Sequence, residues 1–278
     1  MSSSLDGAVL LDGPTLHNWT ARALERAVAE QDLTISHVVI NEATASSVEP
    51  GNRLARVRRY YRTASQYGAW APVSAAHTVF DPPEYLGTQP LDAQSWADSA
   101  EIVRCAPEPA DGIGNELPSV AIDEITPVDV AFRFGFGILQ GEILTAPEHG
   151  VLSFHHSDIR TYRGAPTHVW ELLNDEPASG VTLQQLTETL DGGRIVVFEP
   201  VDIADARTWQ EIKRRKFRVS EGMLATAIRK LGEPGFTPTT VEELGDLYTT
   251  PTAAETARIL LKNTRGRLKM FRSRRATP

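Results

Sequence analysis

Short apolar runs alternate with segments of helical periodicity from the start of the chain. The run GAVLLDG (7–13) predicts a buried strand, and the β-branched run LTISHVVIN (33–41) predicts a second one. Between them, apolar residues recur at the spacing of one helix face: Leu16, Trp19, Ala23, Leu24 and Ala27. A strand, a helix and a strand in this order predict a βαβ unit and therefore a parallel sheet.

The same alternation continues to the C-terminus. Further strands are predicted at 100–106, 128–139, 150–156, 180–188 and 193–203. Helices are predicted at 52–68, 166–176 and 207–231, with Gly222 as a possible break, and a basic terminal helix from about Ala253. Residues 71–98 hold four prolines and no sustained period, which indicates an irregular insertion. The pattern predicts an α/β fold with a main domain over 1–205 and a helical extension with a basic tail over 206–278.

Composition narrows the class of protein. The chain has 278 residues, 41% of them hydrophobic and 23% charged, as is typical of a water-soluble globular protein. A net charge of −8 argues against a dedicated nucleic-acid binder, although no acidic residue follows Glu255. No apolar run approaches the ~18 residues of a membrane span, and the start MSSSLDG lacks the features of a secretory signal. We therefore expect a cytoplasmic protein without membrane contact.

Polar residues at two predicted strand ends are the candidates for chemistry. In GVLSFHHSDIRTYRG (150–164), strand alternation places Ser153 and His155 on one face and Phe154 on the other. Asp191 lies in a Gly-rich turn between two further strands. Adjacent histidines point to opposite faces, and zinc needs three or four converging ligands, so no metal site is predicted. The alternatives are a His–Asp pair for acid–base or oxyanion chemistry, and a buried structural histidine with a turn aspartate.

The order of motifs resembles the formyltransferases that use 10-formyltetrahydrofolate. FGFGIL (134–139), GVLSFHHSDIRTYRG (150–164) and SGVTLQQLTETLDGGRIV (179–196) carry the resemblance. The family pattern is roughly Gly-x-x-Asn-x-His-x-Ser-x-x-Pro-x-Tyr-Arg-Gly, then Gly-Val-Thr, then Leu-Asp-x-Gly-x-Ile. The resemblance implies a Rossmann-like formyltransferase fold, a mostly parallel twisted sheet flanked by helices, here with a short helical C-terminal appendage.

The resemblance also implies an activity and a site. A formyl group would pass from the folate N10 to a primary amine, with His155 and Asp191 on the catalytic His and Asp of the family and Ser153 at the position of its Asn. Fixed donors are needed because an oxygen anion develops during such a transfer. The resemblance places folate binding at Ser157 and at two segments. The first segment is Gly137, Ile138 and Leu139, and the second is Thr187, Glu188, Thr189, Leu190 and Asp191.

Departures from the family pattern leave the acceptor and the chemistry open. Ser153 is shorter than the family Asn, and Asp158 and Arg160 place charges beside the expected folate site, where the family has Leu and Pro. The residues after the core are too few for the β-barrel of methionyl-tRNA formyltransferases, so a small amine such as an amino-sugar nucleotide is expected by elimination. Arg163 and Trp170 could line the acceptor cleft. The alternatives are a formyltetrahydrofolate hydrolase, a non-catalytic folate-binding or ligand-binding relative, and, because of the basic tail, a methionyl-tRNA formyltransferase that binds tRNA.

Overall fold

A computed structural model describes residues 4–45, 68–74 and 83–276 of the chain. Its centre is a seven-stranded sheet. The strands are β1 (Leu5–Leu11), β2 (Leu33–Asn41), β3 (Glu101–Cys105), β4 (Val130–Arg133), β5 (Val151–His155), β6 (Ala178–Gln185) and β7 (Arg194–Asp202). Their order in the sheet is β7-β6-β5-β4-β1-β2-β3.

Parallel pairing runs through one part of this sheet and antiparallel pairing through the other. The strands β5, β4, β1, β2 and β3 are parallel, whereas β6 pairs antiparallel with both β5 and β7. The predicted mostly parallel α/β fold is thereby confirmed. In the parallel part all strands end at the same edge, so the C-terminal residues of β4 and β5 lie side by side, as ligand sites in such sheets require.

Within the part of the chain that the structure describes, five longer helices accompany the sheet: α1 (Asn18–Glu30), α2 (Ser119–Ile125), α3 (Thr167–Leu173), α4 (Trp209–Leu231) and α5 (Ala253–Ala276). Helices α1 and α4 pack together over one face of the sheet, and α2 covers the other. The helix break considered at Gly222 is wrong, because α4 is continuous. A side chain at Gly222 would lie 3.2 Å from Nη1 of the Arg26 side chain on α1.

Shorter elements connect these. They are a helical turn at Glu42–Ala45, 3₁₀ turns at Gly68–Trp70, Glu84–Leu86, Leu91–Ala93, Ser95–Ala97 and Glu142–Leu144, and strands at Thr15–His17, Thr88–Pro90, Glu108–Pro109, Asn115–Glu116, Tyr162–Gly164 and Asp246–Tyr248. The described parts of the predicted insertion are helical at 71–74 and consist of short 3₁₀ turns and one short strand at 83–98. The helix predicted at 52–68 falls outside the described residues except for its last position.

The segment after residue 205 contacts the same core as the sheet. Trp209, Ile212 and Met223 of α4 are buried with residues of β6 and β7, and Ile259 of α5 is completely buried. The domain boundary proposed at residue 205 stays a prediction. Within the described residues, no helix combines the length and the apolar character that a membrane crossing demands.

Candidate active site

The polar ends of β4 and β5 and the turn that holds Asp191 meet at one edge of the sheet. Arg133 and Ser153 are register neighbours on the two parallel strands, so their side chains lie on the same face. His155 follows Ser153 on that face. Asp191, with φ 46, sits in the tight turn that connects β6 to β7. The predicted separation of Ser153 and His155 from Phe154 is what the structure shows.

His155 and Asp191 face each other. His155 Nδ1 lies 3.4 Å from Asp191 Oδ1, and the two side chains are 7% and 20% exposed. The other ring nitrogen, Nε2, is 2.8 Å from the carbonyl oxygen of Tyr162. A carbonyl only accepts, so Nε2 carries a proton, which fixes the ring with Nδ1 toward the carboxylate. The predicted pair is therefore assembled although 35 residues separate its members in sequence.

Asp191 is held as a carboxylate. Burial alone would raise its pKa, but the contact with His155, the hydrogen bond from the Gly164 N–H to Oδ2 at 2.7 Å and the charge of Arg133 outweigh burial and lower the pKa below its usual 3.8. At neutral pH the site thus contains a fixed negative charge beside an imidazole, which is the arrangement that general acid–base chemistry uses.

The two segments predicted to bind folate lie next to each other. Gln140, the residue directly after the first segment, donates from Nε2 to the carbonyl oxygen of Glu188 in the second segment at 3.2 Å. Two hydrogen bonds hold the first segment in place. Asp12 Oδ1 accepts the N–H of Phe136 at 2.6 Å, and the carbonyl oxygen of Ile138 accepts the N–H of Asn115 at 2.8 Å. Gly137 adopts φ 64 in this turn, and Leu139 is buried.

A cavity of about 560 Å³ opens between these segments. Its lining combines apolar side chains with carboxylates, and consists of Ala110, Asp111, Ile113, Glu116, Ile138, Gln140, Gly141, Glu188 and Leu190. Leu190, which lines the cavity, directly precedes Asp191 in the chain, whereas His155 and Asp191 themselves are not lining residues. Its volume is in the range of small-molecule pockets, roughly 300–1,000 Å³.

Hydrogen bonds fix the loop that precedes Asp191. Thr187 Oγ1 donates to the carbonyl oxygen of Gly192 at 3.2 Å, and the carbonyl oxygen of Thr189 accepts the Gly192 N–H at 3.0 Å. Arg163 donates from Nη1 to the carbonyl oxygen of Leu190 at 3.3 Å and from Nε to that of Gly245 at 2.8 Å. The observed contacts of Arg163 thus support the loop; its place in an acceptor cleft stays a prediction.

Ser157 is engaged in the interior. It is 1% exposed, and its hydroxyl donates to Glu171 Oε1 at 2.7 Å. Glu171 in turn forms an ion pair with Lys216 of α4, and both side chains are 1% exposed. Burial lowers the pKa of Lys216 to about 8 despite the raising effect of the Glu171 charge. The ammonium also donates to the carbonyl oxygen of His156 at 2.8 Å, so the pair anchors the end of β5. A folate contact by Ser157 stays a prediction.

His156 belongs to an aromatic cluster on the opposite face of the sheet from His155. Its ring stacks on Phe217 at 4.0 Å between centroids and meets Trp19 edge-on at 5.3 Å. Burial and the nearby Lys216 charge hold the pKa of His156 well below 6.5. The Asp158 carboxylate forms an ion pair with Arg160, at 2.7 Å between Oδ1 and Nε. His156 is therefore a neutral packing residue here.

Trp170 and the cysteine Cys105 are both buried in structural positions. Trp170 is buried, and its Nε1 donates to the carbonyl oxygen of Thr249 at 3.0 Å. Cys105 ends β3, where burial and the charges of Glu42 and Glu124 raise the pKa of its thiol to about 11. Among the described residues, no group of three His, Cys, Asp or Glu side chains could hold a metal ion.

Arg133 and the Lys216–Glu171 pair were missed by the sequence analysis. Each leaves a signal in the pattern. Arg133 interrupts the apolar strand VDVAFRF, and its alternation partner Ala131 is buried, which places Arg133 on an inward-facing position. Lys216 follows the buried Ile212 by four residues, so it occupies the apolar stripe of α4.

A family model and curated proteins match part of the chain. Residues 120–228 match the family model for formyl transferase. A methionyl-tRNA formyltransferase of Thermodesulfovibrio yellowstonii is 33% identical over 101 residues, which are 36% of this chain and 33% of that protein. The chain thus spans about a third of the length of this curated relative.

Solved structures share the fold. A formyltetrahydrofolate deformylase from Pseudomonas syringae pv. tomato superposes with a TM-score of 0.54 at 18% identity, covering 88% of this chain and 67% of the other. An N-formyltransferase from Helicobacter canadensis, in complex with folinic acid and dTDP-3-aminofucose, superposes with a TM-score of 0.51 at 13% identity, covering 88% and 70%. The Rossmann-like formyltransferase fold predicted from the motifs is confirmed. Residues 120–228 are similar to the formyl transferase family.

Proposed function

We propose that this protein transfers a formyl group from 10-formyltetrahydrofolate to the primary amine of a small molecule, with an amino-sugar nucleotide as the first candidate acceptor. The observation that carries the proposal is the His155–Asp191 pair, 3.4 Å apart, in which Asp191 directly follows Leu190 of the cavity lining. A largely buried acid–base pair whose loop lines a cavity of this size supports chemistry on a small molecule.

The cavity suits a folate. Ile138 and Leu190 offer apolar surface for a flat ring, and Asp111, Glu116 and Glu188 offer acceptors for ring N–H groups. The acidic lining favours the donor-rich pterin end over the anionic glutamate end. 10-Formyltetrahydrofolate supplies an activated formyl carbon bonded to N10.

The chain's residues have separable tasks in this reaction. The acceptor nitrogen forms a bond to the formyl carbon, the bond from that carbon to N10 breaks, and one amine proton ends on N10. We assign the proton movement to Asp191 and His155, because the carboxylate stays ionised and the ring is fixed by Tyr162. The glycine-containing turn at 137–139 and the loop at 187–191 would hold the folate.

The test combines binding with turnover. Calorimetric titration with folinic acid, a stable formylfolate, is expected to show micromolar binding. Turnover of 10-formyltetrahydrofolate is then followed with amino-sugar nucleotides, with glycinamide ribonucleotide, with methionyl-tRNA and without an amine. We expect a formylated amino-sugar nucleotide, and at least a hundredfold lower turnover for His155→Ala and for Asp191→Ala, which is roughly the scale of acid–base groups.

Each alternative has its own result. Formate release without an amine would identify a hydrolase, as named for the Pseudomonas syringae structure. Formylation of methionyl-tRNA would identify the activity named for the Thermodesulfovibrio yellowstonii relative. Folinic acid binding without turnover would identify a binding protein. Absence of binding by the folded protein would refute the folate assignment itself.

A further inference from the structure

Arg133 connects the strand ends to the turn beside the cavity. Its Nη1 donates to Ser153 Oγ at 2.8 Å, and its Nε donates to the carbonyl oxygen of Gly137 at 2.5 Å. Within the described residues, its Nη2 makes no hydrogen bond. One end of a planar donor group is therefore fixed by two bonds, and the other is left for a ligand.

The charge of Arg133 is not neutralised by a direct partner. No carboxylate of the described residues lies within the 4.0 Å of an ion pair with it; Asp191 and Asp12 act on it only from a distance. A guanidinium stays charged in proteins. Since the side chain is half-buried, its partial loss of hydration costs free energy, which an anion in the site would offset.

The bond to Ser153 changes what the serine can do. Ser153 is 2% exposed, and its oxygen accepts from a cation, so its own hydroxyl proton remains available for donation. A hydroxyl that accepts a charge-assisted hydrogen bond becomes a stronger donor, because successive hydrogen bonds polarise one another. The pair thus offers two donors and one positive charge on the face that carries His155.

We propose that Arg133 and Ser153 together stabilise the negative oxygen that forms on the formyl carbon during transfer. When the amine nitrogen bonds to this carbon, the π electron pair of the C=O bond moves to the oxygen. The C=O bond forms again when the bond from carbon to N10 breaks. Arg133 and Ser153 take the task that the family pattern gives to an asparagine. The inference rests on the proposed function and names a catalytic residue for it.

A purely structural role predicts a different outcome. If Arg133 only holds the turn through Gly137, its loss should loosen the 137–140 segment and weaken folate binding. If it stabilises the anion, folate binding should persist while turnover falls. The balance between folinic acid affinity and kcat therefore separates the two roles.

The experiment uses Arg133→Met and Arg133→Gln, with Arg104→Met on the exposed edge of β3 as the matched control. Both Arg133 variants should bind folinic acid within about threefold of wild type and lose about 10²–10³ in kcat, the scale of one lost oxyanion donor. Adding Ser153→Asn to Arg133→Met should restore at least about tenfold of the lost rate, because a carboxamide supplies a neutral donor there.

Two results would overturn the inference. Turnover within about threefold of wild type in folded Arg133→Gln excludes the role, and so does a loss of folinic acid affinity that matches the loss of kcat with no rescue by Ser153→Asn. Failure of the proposed function is recognised separately. In that case wild type itself neither binds folinic acid nor turns over 10-formyltetrahydrofolate, and the inference falls with it.

Discussion

Replacing Lys216 with methionine would leave the Glu171 carboxylate buried without its cation. Lys216 and Glu171 are both 1% exposed. The hydroxyls of Ser157 and Ser179 would remain as donors to Glu171 Oε1, at 2.7 and 2.5 Å. Two neutral donors do not replace a full positive charge in a site that water does not reach. We expect Lys216→Met to lower the free energy of unfolding by about 3–5 kcal/mol, the cost of breaking a buried pair.

The matching change at Glu171 predicts non-additivity. Glu171→Gln alone would strand the buried ammonium at a similar cost. In the double variant the carboxamide oxygen accepts from both serines, no charge is buried, and the carbonyl oxygen of His156 still accepts from Thr167 Oγ1 at 2.8 Å. The double variant should therefore lose only about 1–2 kcal/mol, the scale of one or two hydrogen bonds. The expected coupling energy is at least about 3 kcal/mol.

Urea unfolding at pH 7, followed by tryptophan fluorescence and circular dichroism, measures these free energies. The control is Arg229→Met, since Arg229 and Glu233 form an ion pair with side chains 55% and 52% exposed. It should cost no more than about 0.5 kcal/mol. The reasoning would be refuted if either single variant lowered the free energy of unfolding by less than about 1 kcal/mol. It would also be refuted if the loss in the double variant equalled the sum of the two single losses.

Three further predictions follow from single sites. Because burial raises the pKa of Cys105 to about 11, iodoacetamide should modify the folded protein slowly at pH 7.5 and the urea-unfolded protein quickly, while Cys105→Ser keeps full turnover. A methyl group at Gly266 would lie within 1.8 Å of the carbonyl oxygen of Arg207, so Gly266→Ala should displace α5, cost about 1–3 kcal/mol and expose the helix to protease; unchanged digestion would contradict this packing. Since the folded state lowers the pKa of Asp191, its ionised form stabilises the fold above the unfolded value near 3.8, and this contribution disappears as the pH falls through the folded value. The stability gap to Asp191→Asn in urea unfolding should therefore be full at pH 7 and shrink below about pH 4; a gap that does not change with pH would exclude the His155 contact as its source.

Local pattern was sufficient for the sheet and for part of the site. Apolar runs and helical spacing predicted the strands and α1, and alternation along β5 separated Ser153 and His155 from Phe154. The contact between His155 and Asp191 required more. Nothing in periodicity brings together two residues 36 positions apart, and only the family motif order indicated that the β6–β7 turn folds back onto the end of β5.

The prediction at Gly222 shows where residue type alone misleads. A glycine inside a helical pattern indicates a break, but α4 is continuous through Gly222. At His156 strand alternation gives the right face, and the ring packs there against Trp19 and Phe217. Which distant residues pack against His156 is not visible in the local pattern.

Arg133 and Lys216 point to a rule for such chains. Each is a cation at a position that the local period assigns to the interior, one on a strand and one on a helix. Burying a charge costs free energy, so a chain keeps it inside only where a partner or a task offsets that cost. Lys216 has its partner in Glu171, and this pair binds the backbone carbonyl of His156 and the hydroxyl of Ser157. Arg133 has no carboxylate partner among the described residues. The same physical argument that makes Lys216 a structural residue therefore assigns Arg133 to the anion that the reaction creates.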